Sequence, residues 1–306
     1  MANRPQPYAL WPLPFTLPLM NARSALKHLL PCVLLPALAA CQSLPDLAMR
    51  TDTAQQLAKA KGWQAITLPS TTFTLQGFGP PPARTYQTLS IYIEGDGLAW
   101  LSATQPSFDP TPLNPLALQL ALAQPQGQAA YLARPCQYQA RPDPLCQMPY
   151  WTHARFANST VEATNQAISQ LKTRYGATRL ILVGYSGGGA IATLVASRRH
   201  DIAALVTVAG NLETQQWVAH HRISPLEGSL NPGDVAAALH ATPQWHLVGQ
   251  QDEVVPAQIA RAFAQRSPAR QQSIMVMPGV DHTCCWAEQW PALWRSLARH
   301  SVLGQP

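Results

Sequence analysis

A tight glycine-rich junction between an apolar strand and an apolar helix constrains this chain more than any other segment. The run Arg179–Val183 is apolar and β-branched, as in buried parallel strands, and the small apolar run Gly189–Ala196 is typical of a helix packed on a sheet. Between them, Gly184–Gly188 has a G-x-S-x-G pattern centred on Ser186. Strand, pattern and helix together predict a strained turn that lifts the Ser186 hydroxyl clear of the sheet.

Two other kinds of glycine-rich turn do not fit this segment. A phosphate-binding P-loop requires G-x-x-x-x-G-K-[ST], and no Lys follows Gly188. A dinucleotide-binding turn requires G-x-G-x-x-G, which is also absent. A purely structural turn is the alternative for the five residues alone. The segment favours a nucleophilic Ser186, whose partners have to come from elsewhere in the chain.

Strand-like and helix-like segments alternate from about Trp63 to the end of the chain. This alternation predicts a parallel sheet with helices on both faces. The predicted strands are residues 64–68 and 73–78, as an opening antiparallel pair, and 88–93, 129–133, 179–183, 203–209, 244–248 and 273–277. The predicted helices are residues 115–123, 159–175, 189–196, 234–240, 256–266 and 287–299. The predicted irregular segments are residues 135–156 and 211–233.

The first forty residues have the organisation of an export signal. A short basic region begins at Met20, which we expect to be the true start, and an apolar stretch follows it. Leu38–Cys41 then matches the lipobox at which bacterial lipoproteins are cleaved and acylated. The expected organisation is a signal peptide (1–40), a lipidated Cys41 with its tether (41–62) and a folded domain (63–306).

The residue after the expected cleavage site indicates a destination. Gln42, in place of Asp, resembles lipoproteins sent to the outer membrane, so we expect a lipid-anchored protein of the bacterial cell envelope that faces the periplasm. Stable anchoring needs more than one acyl chain, and no later stretch reaches the ~20 apolar residues of a membrane span. An ordinary secretory signal with a chance Cys is the alternative.

The charge of the chain argues against one class of partner. The formal net charge is +6, and removal of residues 1–40 takes away Arg4, Arg23 and Lys27 and no acid, which leaves +3. The remaining Lys and Arg residues are scattered rather than clustered on one element, so the sequence does not indicate a nucleic-acid partner. It does not indicate an oligomeric state either.

Four cysteines remain after the expected processing, and an oxidising compartment favours disulfides between them. The Pro-rich loop between Cys136 and Cys146 makes that pair our first choice. Adjacent Cys284 and Cys285 could bond each other only in a strained ring, and the alternative is that one of them reaches back to Cys136 or Cys146. No C-x-x-C or H-x-x-x-H spacing supports a zinc site, and we expect no metal and no cofactor.

A serine on such a turn needs a base, and the base needs an acid that orients it. Asp252 stands just past the strand predicted at 244–248, and His282 just past the strand predicted at 273–277. We therefore assign Asp252 and His282 as the partners of Ser186, with Glu253 and Asp281 as the alternative acids. The histidines expected on the surface or in the core are His153, His200, His220, His221, His240 and His246.

These segments make the chain resemble the α/β-hydrolase superfamily over roughly residues 63–300. The resemblance rests on Gly184–Gly188, on Gly249–Pro256, which looks like that family's acid loop G-x-x-D-x-x-V-P, and on Gly279–His282. It implies a mostly parallel twisted sheet with helices on both faces and a short cap region. It also implies a serine hydrolase that cleaves a carboxylic ester, or less readily an amide, through an acyl-enzyme.

The resemblance assigns a role to each residue of the expected site. Ser186 is the nucleophile, His282 the general base and then acid, and Asp252 the residue that holds the imidazole. An oxyanion hole needs two backbone N–H donors, one from Gly187 and the other from Asp96 or Gly97.

The second donor loop departs from the family pattern. The family has His-Gly where this chain has Glu94-Gly95, ahead of Asp96 and Gly97. Carboxylates beside an oxyanion oppose its charge unless they are paired, so we expect Glu94 or Asp96 to bond loop backbone or an arginine such as Arg134. A simple turn without a catalytic role is the alternative.

The sequence leaves substrate and function class partly open. Aromatic residues in the two irregular segments could wall a pocket or pack the loops down, and a short cap region predicts an open cleft. Two alternatives to a hydrolase stay open, a non-catalytic envelope lipoprotein used as a binding module and an acyltransferase with the same triad. The expected partners are a small-molecule or lipid ester and the membrane. The aromatic residues concerned are Tyr138, Tyr150, Trp151, Phe156 and Trp217.

Overall fold

The structure is a computed structural model that describes residues 44–82, 86–139 and 143–299. The expected signal peptide over residues 1–40, the start at Met20 and the acylated Cys41 lie outside the described residues. Within the described part, no helix is both long enough and apolar enough to cross a membrane.

An eight-stranded sheet forms the centre of the molecule, with the strand order β1-β2-β4-β3-β5-β6-β7-β8. β1 and β2 pair antiparallel, β2 pairs antiparallel with β4, and all the other neighbours are parallel. The predicted opening hairpin and the parallel sheet after it are therefore confirmed. The strands are β1 (Gln64–Pro69), β2 (Thr74–Gly79), β3 (Thr88–Ile93), β4 (Gln128–Leu132), β5 (Arg179–Tyr185), β6 (Ile202–Val208), β7 (Gln244–Gly249) and β8 (Gln272–Met277).

Seven α-helices accompany the sheet in the described residues, and they cover both of its faces. One buried cluster joins α3, α4 and α6 to one face, and a second joins α1, α2 and α7 to the other. The helices are α1 (Leu47–Ala60), α2 (Leu116–Ala123), α3 (Asn158–Arg174), α4 (Gly187–Ala196), α5 (Thr214–His221), α6 (Ala257–Arg266) and α7 (Trp286–Arg299). Two 3-10 helices span Met148–Trp151 and Pro232–Leu239.

Alternation along the central strands explains the two-sided core. Leu89 and Ile91 on β3 belong to the first cluster, whereas Tyr92 belongs to the second. On α7, Trp286, Trp290 and Trp294 repeat every four residues and are all buried, so the helix has one apolar face. Trp290 donates from its indole N–H to the hydroxyl of Tyr92 at 2.9 Å, which fixes the terminal helix on the sheet.

Two expected irregular segments contain helices. We expected residues 41–62 to form a tether, but α1 occupies most of this stretch and buries Ala54 and Ala58 against the domain. Asp46 caps its N-terminus by accepting from the N–H of Met49 at 2.8 Å. We also expected residues 211–233 to be irregular, but α5 lies within them. Both helices have a weak apolar periodicity, which explains why the sequence pattern missed them.

The cysteines form two bonded pairs. Cys136 and Cys146 are joined by a disulfide, as expected. Cys284 and Cys285 are joined to each other. The alternative that one of this adjacent pair reaches back to Cys136 or Cys146 is therefore wrong, because both of those sulfurs are already bonded.

Candidate active site

Ser186 stands at the turn between β5 and α4 with a backbone conformation that L-residues rarely adopt. Its φ is 51° and its ψ is −120°, and a strained residue of this kind costs about 1–3 kcal/mol. A Cβ on Gly184 would run into the carbonyl oxygen of Gly188, and one on Gly188 into the carbonyl oxygens of Ile93 and Glu94. Glycine is therefore required on both sides of the turn, and Ser186 is left partly exposed.

A chain of two hydrogen bonds joins the three residues that the sequence assigned to the site. The Oγ of Ser186 lies 3.0 Å from Nε2 of His282, and Nδ1 of His282 lies 2.9 Å from Oδ2 of Asp252. The Asp252 side chain is fully buried, and that of His282 is 14 % exposed. An ionised carboxylate can only accept, so Nδ1 carries the imidazole proton and Nε2 is the acceptor that faces the serine.

The loop after β7 holds the second oxygen of Asp252. Its Oδ1 accepts from the N–H groups of Val254 at 2.9 Å and Val255 at 2.7 Å. Both carboxylate oxygens are therefore bonded, which fixes the orientation that the carboxylate presents to His282. Glu253, one of the alternative acids, is exposed and is not the residue bonded to the imidazole.

The loop after β8 holds His282 from its backbone. The His282 carbonyl accepts from the Tyr185 hydroxyl and from the Trp286 indole N–H, each at 3.2 Å. Asp281, the other alternative acid, accepts from the N–H of Thr283 at 2.8 Å and from that of Cys284 at 2.6 Å. These backbone bonds lower the pKa of Asp281 below its ordinary value. Asp281 thus caps the loop, and Asp252 is the acid that bonds the imidazole.

The other histidines of residues 44–299 that the structure describes take no part in this hydrogen-bond chain. His246 is fully buried on β7, its Nδ1 lies 2.9 Å from the hydroxyl oxygen of Thr207, and burial lowers its pKa to about 3. His221 is half-buried, and its Nε2 lies 2.8 Å from the Val254 carbonyl oxygen. Four others are exposed: His153, His200, His220 and His240.

The loop that follows β3 runs directly against the nucleophile. A Cβ on Gly95 would lie 3.3 Å from Cβ of Ser186, so the backbone passes beside the serine. Within the described part of the chain, the N–H groups of Asp96, Gly97 and Gly187 make no hydrogen bond. Gly187 is the first residue of α4, where the positive end of the helix dipole lies. These N–H groups are therefore free to meet a negative charge.

Glu94 is satisfied away from the serine. Its Oε1 accepts from the N–H of Gly95 at 2.9 Å and from that of Ala117 on α2 at 3.4 Å. Its Oε2 accepts from the hydroxyl of Tyr131 on β4 at 3.2 Å. Burial raises the pKa of Glu94 to about 7, against the smaller opposing effect of these hydrogen bonds. The side chain thus anchors the loop to a helix and to a neighbouring strand.

Asp96 is paired with two arginines. Its carboxylate lies 3.0 Å from Nη1 of Arg134 and 2.7 Å from Nη1 of Arg155, and it fills the space where Gly187 would carry a Cβ. Burial alone would raise the pKa of Asp96, but Arg155 and Arg134 outweigh it and lower the pKa. The expected pairing with Arg134 is present. Arg155 was missed, because nothing in the pattern of its polar loop marks it.

The aromatic residues of the two loops divide between packing and lining. Tyr138, Trp151 and Phe156 are buried, and the ring of Tyr150 packs edge-on against Phe73 at 4.9 Å. These four side chains hold the loop down. Trp217, on α5, lines an open groove instead.

Comparison with known proteins identifies structures of similar fold. No protein-family profile matches this chain, and no curated protein is significantly similar to it in sequence. Solved structures do match, with low sequence identity. Est1E from Butyrivibrio proteoclasticus is 14 % identical with a TM-score of 0.54, and covers 77 % of this chain and 98 % of its own. An alpha-beta serine hydrolase homologue from Coxiella burnetii is 18 % identical with a TM-score of 0.52, and covers 78 % and 96 %.

A third structure agrees with these two. The esterase domain of a Rhodothermus marinus protein is 15 % identical with a TM-score of 0.53, and covers 78 % of this chain and 99 % of its own. The mostly parallel sheet with helices on both faces is the architecture of these neighbours. The protein therefore has the α/β-hydrolase fold, as expected.

Proposed function

We propose that this protein is a serine hydrolase that cleaves a carboxylic ester through an acyl-enzyme. The observation that carries the proposal is the hydrogen-bond chain from Ser186 through His282 to a buried Asp252, at the end of a strained turn. Strain and burial of this kind are costly to a fold and are found where function uses them.

The first half of the reaction follows from the two hydrogen bonds. Oγ of Ser186 attacks the ester carbonyl carbon while Nε2 of His282 takes the hydroxyl proton, so the imidazole becomes a cation. The buried carboxylate of Asp252 stabilises this cation and holds the ring in place. His282 then gives the proton to the leaving alcohol oxygen, and the acyl group stays on Ser186.

The negative charge on the carbonyl oxygen needs donors during this step. The unpaired N–H of Gly187 is one, and the N–H of Asp96 or Gly97 is the other. The Asp96 carboxylate next to them would oppose the oxyanion if it were alone. Arg134 and Arg155 offset its charge, so the local field does not cancel the donors.

Water completes the cycle in the hydrolase proposal. His282 removes a proton from a water molecule as the water oxygen bonds to the acyl carbon. The bond from that carbon to Oγ of Ser186 then breaks, Oγ takes the proton from His282, and the carboxylic acid leaves. An acceptor alcohol in place of water would make the same site an acyltransferase. The similarity to the esterase domain of the Rhodothermus marinus protein supports an ester over an amide substrate.

The proposal is tested by covalent labelling. A fluorophosphonate probe should label the wild-type protein, and Ser186→Ala should lose the label completely. Ser169→Ala removes an exposed hydroxyl on α3 and serves as the matched control that keeps the label. Label that survives Ser186→Ala rejects the nucleophile, and a folded wild-type protein that neither takes the label nor turns over p-nitrophenyl esters favours a binding module.

We also propose that the protein is exported and anchored to the membrane of the bacterial envelope through acylated Cys41. The lipobox-like segment Leu38–Cys41 supports this. Mass spectrometry of the N-terminal peptide from cells should find a diacylglyceryl Cys41, and Cys41→Ser should release the protein from the membrane fraction. An unmodified N-terminus upstream of Cys41 would contradict the proposal.

A further inference from the structure

An open groove of about 850 Å³ is lined in part by Arg155, one of the two arginines that pair with Asp96. Its volume falls in the ~300–1,000 Å³ range of small-molecule sites. Three segments wall it: residues 100–106 after β3, residues 148–155 after the Cys136–Cys146 disulfide, and residues 217–226 from α5 onward. Most of its lining is apolar, with side chains from Trp100, Pro106, Met148, Trp217, Ile223 and Leu226.

The carboxylate of Asp96 links the lining of this groove to the residue that follows the nucleophile. Arg155 lines the groove, and its Nη1 lies 2.7 Å from Oδ2 of Asp96. The Asp96 carboxylate in turn fills the space beside Gly187, the residue after Ser186. The groove and the proposed oxyanion hole are therefore neighbours.

The wall formed by α5 reaches the acid loop as well. Trp217 donates from its indole N–H to the carbonyl oxygen of Val254 at 2.7 Å, and the N–H of Val254 donates to Asp252 at 2.9 Å. The groove thus contacts the machinery at the oxyanion loop and at the acid loop. Arg155 and Trp217 therefore link the groove lining to the two loops that flank Ser186.

Polarity along the groove orients a ligand. Arg155 is buried, donates from Nε to the carbonyl oxygen of Thr152 at 2.6 Å, and holds its guanidinium 5.9 Å from the ring centre of Trp217. Its Nη2 makes no hydrogen bond with the described residues. The end near Ser186 is therefore polar and has a donor to spare.

Several of the other side chains that line the groove are apolar and exposed. Trp100 is 40 % exposed, Met148 41 % and Ile223 45 %, which is unusual for large apolar side chains that share one depression. Among the described residues no carboxylate lines the groove, and the exposed Arg222 at its edge can keep its charge in water. An apolar chain is the ligand that this surface fits.

From this arrangement we propose that the groove binds a long apolar chain of the ester, with the ester group at the Arg155 end and the chain running toward Trp100 and Ile223. The inference rests on the proposed function, because it names the substrate class of the same site. The substrate class is an ester with a chain of about eight or more carbons. Each buried methylene should raise kcat/KM by up to about fourfold, the equivalent of ~0.8 kcal/mol.

The first test measures chain-length dependence in two series. One series is p-nitrophenyl acetate, butyrate, octanoate and decanoate, and the other is ethyl, butyl and octyl acetate. A rise of kcat/KM with length in either series is expected, and the series that shows it identifies the acyl or the alcohol side. No rise in both series overturns the inference.

A charged substitution assigns the effect to the groove. Ile223→Glu should flatten the length dependence, since it places a charge on the exposed apolar surface that the chain of the ester is proposed to cover. Met49→Glu, at a 58 % exposed position on α1, is the matched control and should keep the full dependence. A dependence unchanged by Ile223→Glu means that the chain lies elsewhere and overturns the inference.

A binding measurement separates this inference from the proposed function. Calorimetric titration of the Ser186→Ala protein with 1-octanol and 1-butanol should give at least tenfold tighter binding of octanol, and Ile223→Glu in the same background should remove the difference. This result with no ester turnover by the wild-type protein would reject the hydrolase and keep the groove. Turnover without a preference for octanol would keep the hydrolase and reject the groove.

Discussion

The two loops that flank Ser186 are stabilised by different kinds of partner. On one side, Asp252 and His282 follow adjacent parallel strands; backbone N–H groups of the same loop bind Asp252, and the backbone carbonyl of His282 accepts from Tyr185 and Trp286. On the other side, Glu94 and Asp96 depend on side chains from distant segments, namely Tyr131, Arg134 and Arg155. The first arrangement follows from strand order, whereas the second exists only after the long polar loop has folded over the site.

The largest effect is a loss of turnover, and we expect it from a substitution of Asp252. Asp252→Asn keeps the shape of the side chain, but its amide donates to His282 Nδ1 and forces the proton onto Nε2, which can then no longer accept from Ser186. We expect kcat on a p-nitrophenyl ester to fall about 10⁴-fold, as loss of the orienting acid does in serine enzymes. Steady-state kinetics and circular dichroism of the purified variant measure the loss and check the fold.

Asp281→Asn is the control for this substitution, because Asp281 adjoins His282 but bonds only its own loop. Loss of net hydrogen-bond energy of about 1 kcal/mol there should lower kcat less than tenfold. An equal or larger loss with Asp281→Asn would show that the acid was assigned to the wrong residue.

The next effect is a loss of stability when Asp96, which anchors the loop after β3, is replaced. Asp96→Ala leaves Arg134 and Arg155 buried without their carboxylate, and breaking a buried ion pair costs about 3–5 kcal/mol. Asp96→Asn keeps a hydrogen-bond acceptor and should lose less. Because the proposed donor is a backbone N–H, folded Asp96→Asn protein should retain turnover. Urea denaturation followed by tryptophan fluorescence measures the free energy of unfolding.

Asp109→Ala provides the comparison, since Asp109 has a similar exposure and is paired with the buried Arg50. Arg50 would keep its bonds to the backbone carbonyls of Asp46 and Thr111, so this variant should be destabilised less than Asp96→Ala. If the free energy of unfolding of Asp96→Ala lies within about 1 kcal/mol of the wild-type value, burial of Arg134 and Arg155 does not depend on Asp96.

The comparison also explains what could be predicted from the sequence. The strand and helix that surround Ser186, and the strand ends that carry Asp252 and His282, each have a local apolar pattern and a fixed order along the chain. Those patterns predicted the sheet, the turn and the three residues that the structure brings together. Backbone geometry at a strand end is a local property, so a single segment is enough to indicate it.

The elements that were missed depend on contacts between distant segments. Arg155 lies 59 residues after Asp96, and nothing in the residues around it marks a partner. α1 and α5 have weak apolar periodicity, and α1 is covered by the domain on the side of Ala54 and Ala58.

The smallest expected effect is a pH dependence of the free energy of unfolding that comes from Glu94. Glu94 has an ordinary pKa of 4.5, which burial raises to about 7 in the folded protein. Between these values the unfolded chain releases its proton while the folded protein keeps it, so the free energy of unfolding falls as pH rises. Above pH 7 the accumulated loss is about 3 kcal/mol. Glu94→Gln cannot ionise, so relative to the wild type it should be more stable at pH 8 than at pH 5 by about this amount.

Urea denaturation of both proteins at pH 5 and pH 8 isolates this contribution of Glu94. The buried His246 acts in the opposite direction. Its ordinary pKa of 6.5 falls to about 3 in the fold, so its contribution lowers the free energy of unfolding as pH decreases below 6.5. That loss is common to both proteins and cancels in their difference, because the substitution leaves His246 unchanged. An equal pH dependence in the two proteins would mean that Glu94 ionises as freely in the fold as in the unfolded chain. The loop beside Ser186 would then not depend on a protonated carboxyl group, and the contrast with the Asp252 side would be smaller than the burial of Glu94 implies.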